Sequence, residues 1–140
     1  MMFEAILIPL FVQVALTFGL GFWMATLRFS SVRSGAVRRH DVALREPNWP
    51  PRVLQIQNAY QNQLELPVLF YVLIVLTIAT RHADLLFVVL AWVFVVLRIV
   101  HAYVHVTGNH MARRGMVFLA GAAVLAVMWI VFAIRILSGT

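Results

Sequence analysis

Long apolar runs separated by short polar stretches organise this chain. Four runs reach the roughly 20 residues needed to cross a bilayer, at about 4–27, 53–80, 84–106 and 115–137. They predict four transmembrane helices. A 3.6-residue rhythm is faint within them, because helices buried in lipid and protein are apolar all round. The connections are unequal. The first, residues 28–51, carries Arg28, Arg33, Arg38, Arg39 and Arg45 and ends in Pro47-Asn48-Trp49-Pro50-Pro51. The second is only Arg81, His82 and Ala83. The third, Thr107-Gly108-Asn109-His110, leads into Arg113 and Arg114. Arginine therefore gathers in the first and third connections, and the positive-inside rule places both in the cytoplasm, with both termini outside. The expected fold is an all-α, four-helix, up-down membrane bundle with a long cytoplasmic first loop, one domain over residues 1–140. The first run does not read as a cleavable signal peptide, because it begins with Glu4 and no arginine and no small-residue cleavage pattern follows it.

Polar exceptions inside the runs carry the functional signal. Gln55, Asn58, Asn62 and Glu65 step by 3, 4 and 3 residues, so they share one helical face. Arg98, His101 and His105 step by 3 and 4 in the third run. Polar groups at bilayer depth are costly and face protein or a wet cavity. The tight second connection makes the two helices antiparallel neighbours. At about 1.5 Å per residue from that turn, Glu65 falls level with Arg98, Asn62 with His101 and Asn58 with His105. A ladder of facing polar groups is expected, with Glu65 and Arg98 as a buried ion pair. Pro67 is expected to kink the second helix and free the carbonyl of Gln63. Arg135 is expected to snorkel to the outer interface. Trp23, Trp92 and Trp129 are expected to pack against lipid or neighbouring helices.

Composition sharpens the class. The 140 residues are 63% hydrophobic and 11% charged, with mean hydropathy +0.92, against about 25% charged in soluble domains. The net charge is +6, which in so apolar a chain points to anionic head groups or an acidic small molecule, with no nucleic acid as partner. All eleven basic residues are arginine, which suits a GC-rich bacterial genome; the expected location of such a membrane protein is the bacterial inner membrane. Cysteine is absent, so no disulfide, protein thiolate or Cys-ligated metal is possible, and any thiol must arrive with a substrate.

The run Asn58-Ala59-Tyr60-Gln61-Asn62-Gln63-Leu64-Glu65-Leu66-Pro67 is similar to the second-helix signature of the MAPEG family, the membrane-associated proteins in eicosanoid and glutathione metabolism. That signature reads Arg-Ala-x-x-Asn-x-x-Glu, with a proline soon after. Arg98, His101, His105 and Arg114 resemble the third-helix pattern of the microsomal glutathione transferases and prostaglandin E synthase. The resemblance covers nearly the whole chain and implies a homotrimeric four-helix bundle. It implies glutathione as co-substrate, bent between neighbouring protomers, and an apolar electrophile or lipid peroxide entering from the bilayer. Arg114 then takes the thiolate-stabilising, catalytic role, with Arg113 as its adjacent competitor. Asn58, Asn62, Glu65, Arg98, His101 and His105 line the thiol site, and Arg52 and the first-loop arginines hold the carboxylates.

Three positions depart from the pattern. Asn58 stands where the signature has Arg, His105 where a Tyr is expected, and Gly115 follows Arg114 where the prostaglandin synthase has a hydroxyl. Asn58 and His105 favour the alternative, a membrane binding or scaffold protein that has kept the fold without the chemistry. Transport fits less well. Small multidrug transporters need a carboxylate near the middle of the first helix, and residues 5–27 contain no acid. His101 and His105 have the i, i+4 spacing of a chelating pair, with His110 nearby. No metal is expected, since His101 matches a family position that holds none.

Overall fold

The structure, a computed structural model, describes residues 2–140. Five α-helices follow one another: α1 (Phe3–Arg33), α2 (Pro51–Asn62), α3 (Leu66–Ala79), α4 (Leu85–Val106) and α5 (Met111–Ser138). A 3-10 turn (Arg39–Asp41) lies in the first connection. No strand occurs among the described residues. Helices α2 and α3 together make one span, so four segments are long and apolar enough to cross a membrane.

The second span is where the structure departs most from the expected continuous helix over 53–80. Pro67 sits in the first turn of α3, where its missing N–H leaves the carbonyl of Gln63 without a helical donor and its ring opposes helix in the preceding turn. The kink becomes a full interruption at residues 63–65, with Glu65 at φ −101°, ψ −102°. Buried side chains repair the break. Gln63 donates from Nε2 to the Ala59 carbonyl at 3.1 Å, and Gln13 of α1 donates to Gln63 Oε1 at 3.0 Å. The outer helices are longer than expected. α1 continues past Leu27 to Arg33, and α5 starts at Met111, before Gly115. Arg113 and Arg114 therefore lie in the first turn of α5, with His110 as its cap accepting from the Arg113 N–H at 3.3 Å.

Helix α4 runs through the centre, packed against α1, α2 and α5. Its Phe87, Ala91, Phe94 and Val95 meet Phe70, Leu73 and Ile74 of α3 and Leu125 and Met128 of α5. Phe70 and Phe94 stack at 4.7 Å. Phe18, Phe22, Leu119 and Leu137 point outward, as a lipid solvent permits. Arg135 does more than snorkel. Its Nη1 lies 2.7 Å from Asp84 Oδ2 and its guanidinium rests over Phe87. Asp84 Oδ1 also accepts from the Phe87 N–H at 3.1 Å, so one carboxylate starts α4 and ties α5 to it.

Candidate functional site

The α2–α3 break, the end of α4 and the first turn of α5 converge on one polar cavity of about 270 Å³. Asn58, Gln61, Asn62 and Glu65 form one wall, and His105 and Arg114 the other. Arg114 is fixed there by a turn. Its Nη1 donates to Asn109 Oδ1 at 2.6 Å, and Asn109 takes left-handed backbone at φ 50°, a conformation that asparagine tolerates better than most residues. Imidazole, amide, carboxylate and guanidinium groups thus share one small space. Such a set can hold a polar, charged ligand and stabilise an anion beside Arg114.

Behind the cavity, Arg98 is 1% exposed. Its Nη2 donates to Asn62 Oδ1 at 2.6 Å and to the Asn62 carbonyl at 3.3 Å. The anticipated Glu65–Arg98 ion pair is absent among the described residues: Glu65 is exposed, and no carboxylate oxygen lies within 4.0 Å of Arg98. The reason is the break. Glu65 has left helical register, and the Asn62 carbonyl and amide accept from the guanidinium in its place. Arg98 Nε and Nη1, and Nδ1 of His101 and of His105, are buried without a protein partner. His101 packs edge-on to His105 at 5.7 Å and against Phe118 at 5.9 Å.

The expected site residues therefore divide. Asn58, Asn62, Glu65, His105 and Arg114 line the cavity, and Arg98 and His101 stand behind it. Arg52 and Arg113 do not line it, contrary to expectation. Arg52 closes the end of α4, donating to the Val106 carbonyl and to Gln55 Oε1 while its guanidinium covers the Trp23 ring. Gln55 has the same task, donating to the carbonyls of His105 at 2.8 Å and Thr107 at 3.0 Å. One member of the polar stripe is thus interhelical glue. Arg113 is exposed, because consecutive residues on a helix point about 100° apart. The sequence reading missed Gln61 and Asn109. Gln61 stands three residues after Asn58 and four before Glu65, which is itself a helical spacing.

A larger cavity of about 560 Å³ lies under the first connection, lined in part by Met24, Arg28, Glu46, Tyr60 and Leu64. Gln61 lines both cavities. No group of three or more His, Cys, Asp or Glu among the described residues is placed to hold a metal ion.

Among known proteins, no curated protein and no solved structure matches the chain. The MAPEG family model matches residues 6–134, nearly the full length. An all-helical chain with four membrane-spanning segments and that match is an integral membrane protein, and it belongs to the MAPEG family.

Proposed function

We propose that the chain is a thiol transferase or peroxidase of the membrane, binding glutathione or another low-molecular-weight thiol in the small polar cavity. The observation that carries this reading is Arg114, held on the cavity wall by Asn109. A free thiol has a pKa of about 8.5. A cation 4 Å away is worth about 4 kcal/mol at an effective dielectric of 20, and each pKa unit is worth about 1.4 kcal/mol. One guanidinium is thus enough to bring the thiol pKa down to neutral pH or below, so that the thiolate forms. The thiolate then attacks an apolar electrophile, forming a C–S bond as the leaving group departs with its electron pair. The adjoining cavity, where Met24, Tyr60 and Leu64 share the wall with Arg28, Arg45 and Glu46, offers an apolar side for that partner. Asn58, Asn62 and Gln61 orient the thiol's peptide groups, and His105 donates a hydrogen bond to it. The site opens toward the cytoplasm in this reading, and the chain works as a homotrimer.

The test is thiolate formation. Detergent-solubilised protein is titrated with glutathione while the ultraviolet absorbance of the thiolate is followed. A saturable signal is expected. One observation favours the scaffold alternative: the Asn58 amide supplies no charge to hold a carboxylate. Absence of a thiolate signal, with no thermal shift on adding glutathione, selects that alternative.

A further inference from the structure

A second charged concavity lies at the C-terminal end of α1, outside the thiol cavity. Arg28, Phe29, Val32 and Arg33 of α1, Arg39 of the 3-10 turn and Trp49 surround a space of about 550 Å³. Arg28 with Val32, and Phe29 with Arg33, are i, i+4 pairs, so the four residues form two adjoining rows on one helix face. The three arginines lack carboxylate partners among the described residues. Asp41, in the same connection, is taken by Arg38 and His40, each at 3.2 Å. Glu46 accepts from the Leu44 N–H at 3.0 Å. Arg28 is held in place, its guanidinium 5.2 Å from the Trp49 ring centre and its Nη2 donating to Gln57. Its Nε is buried with no protein partner.

Depth narrows the occupant. At 1.5 Å per residue the 31 residues of α1 extend about 46 Å. The hydrocarbon core takes about 30 Å, or about 20 residues. A helix entering near Phe3 leaves the core near Trp23, so residues 28–33 stand in the head-group layer. Trp23 and Trp49 fit the aromatic belt found at that depth. The wall is also two-sided, with guanidinium groups on one part and Phe29, which is 68% exposed, and Val32 on the other. The occupant must carry negative charge at one end and apolar substance at the other.

We propose that this concavity binds the head group of an anionic glycerophospholipid. The guanidinium forks take the phosphodiester oxygens, and the glycerol and first acyl carbons lie along Phe29 and Val32. A zwitterionic lipid is disfavoured, because its own cation meets three arginines and no carboxylate lines the concavity. A soluble phosphate leaves the apolar wall unused. Arg28 and Trp49 also line the larger cavity next to Gln61, so a bound head group steadies the connection that roofs it.

The test uses native mass spectrometry of the full chain in detergent, with phosphatidylglycerol, phosphatidylcholine and glycerol 3-phosphate as probes. Saturable retention of phosphatidylglycerol is expected, with phosphatidylcholine weaker and glycerol 3-phosphate unable to displace the lipid. Arg33→Gln and Arg39→Gln should each weaken retention about fivefold. Arg33→Lys should keep most of it. Both arginines are exposed, so an unchanged helical circular dichroism signal is expected in each variant. Arg113→Gln removes an exposed charge from outside the concavity and should change nothing. Equal retention of the two lipids, displacement by glycerol 3-phosphate, or an equal loss from Arg113→Gln would each overturn the proposal.

Discussion

Arg113 and Arg114 are chemically identical neighbours, and backbone geometry alone separates them. Because both lie in the first turn of α5, one points outward and the other reaches the cavity. Arg114→Ala should abolish the thiolate signal, whereas Arg113→Ala should keep it. Equal loss from both would indicate a diffuse positive field instead of one stabilising cation. Asn109 offers a finer probe, since Asn109→Gly keeps the left-handed turn while removing only the amide that holds Arg114. The hydrogen bond is exposed, and exposed charged contacts contribute about 0.2–1 kcal/mol. Thiol affinity should therefore fall up to about fivefold in Asn109→Gly, and unchanged affinity would show that Arg114 needs no anchor. At this scale the sequence was informative about residue type and less so about partners. The spacing of Asn58, Asn62 and Glu65 marked one wall. It could not reveal that Asn109 orients Arg114, because that depends on a turn whose conformation is set by the start of α5.

The interruption of the second span decides where the polar groups end up. Pro67 was visible in the sequence, and a kink followed from it, but the extent of the break did not. The buried Gln13–Gln63 pair supports the broken form, and nothing in the sequence linked two glutamines fifty positions apart. The rung-by-rung ladder assumed an uninterrupted helix, which is why it placed Glu65 on Arg98. With the helix broken, Asn62 takes that arginine and Glu65 is left at the cavity edge. Gln63→Leu strands the Gln13 amide and should lower stability by about 1–2 kcal/mol, read as a lower midpoint of thermal unfolding in detergent. Gln13→Leu combined with Gln63→Leu removes both polar groups and should recover most of that loss. A double variant as unstable as the sum of the two singles would mean that the pair does not couple α1 to the break.

Over the whole molecule, lipid-facing side chains such as Phe18, Phe22 and Leu119 leave the polar cavity as the feature that lipid cannot cover. Backbone and polar groups at bilayer depth need protein or water against them, which favours assembly with further copies in the trimer proposed above. The number of spans was legible in the sequence, because apolar runs translate directly into membrane helices, whereas the reach of α1 and α5 beyond their apolar runs was not. The contributor of each cavity wall was not, since that depends on how α2, α4 and α5 pack. Here Asn62 and Arg114 of one protomer face the same cavity. Loss of either from one protomer therefore damages the same site. Protomers carrying Asn62→Ala, mixed with protomers carrying Arg114→Ala, should give assemblies no more active than the sum of the two parent proteins, because each cavity lacks one of its own groups. Activity well above that sum would mean that Arg114 serves a neighbour's cavity, and that the two walls seen together in one chain are separated in the working oligomer.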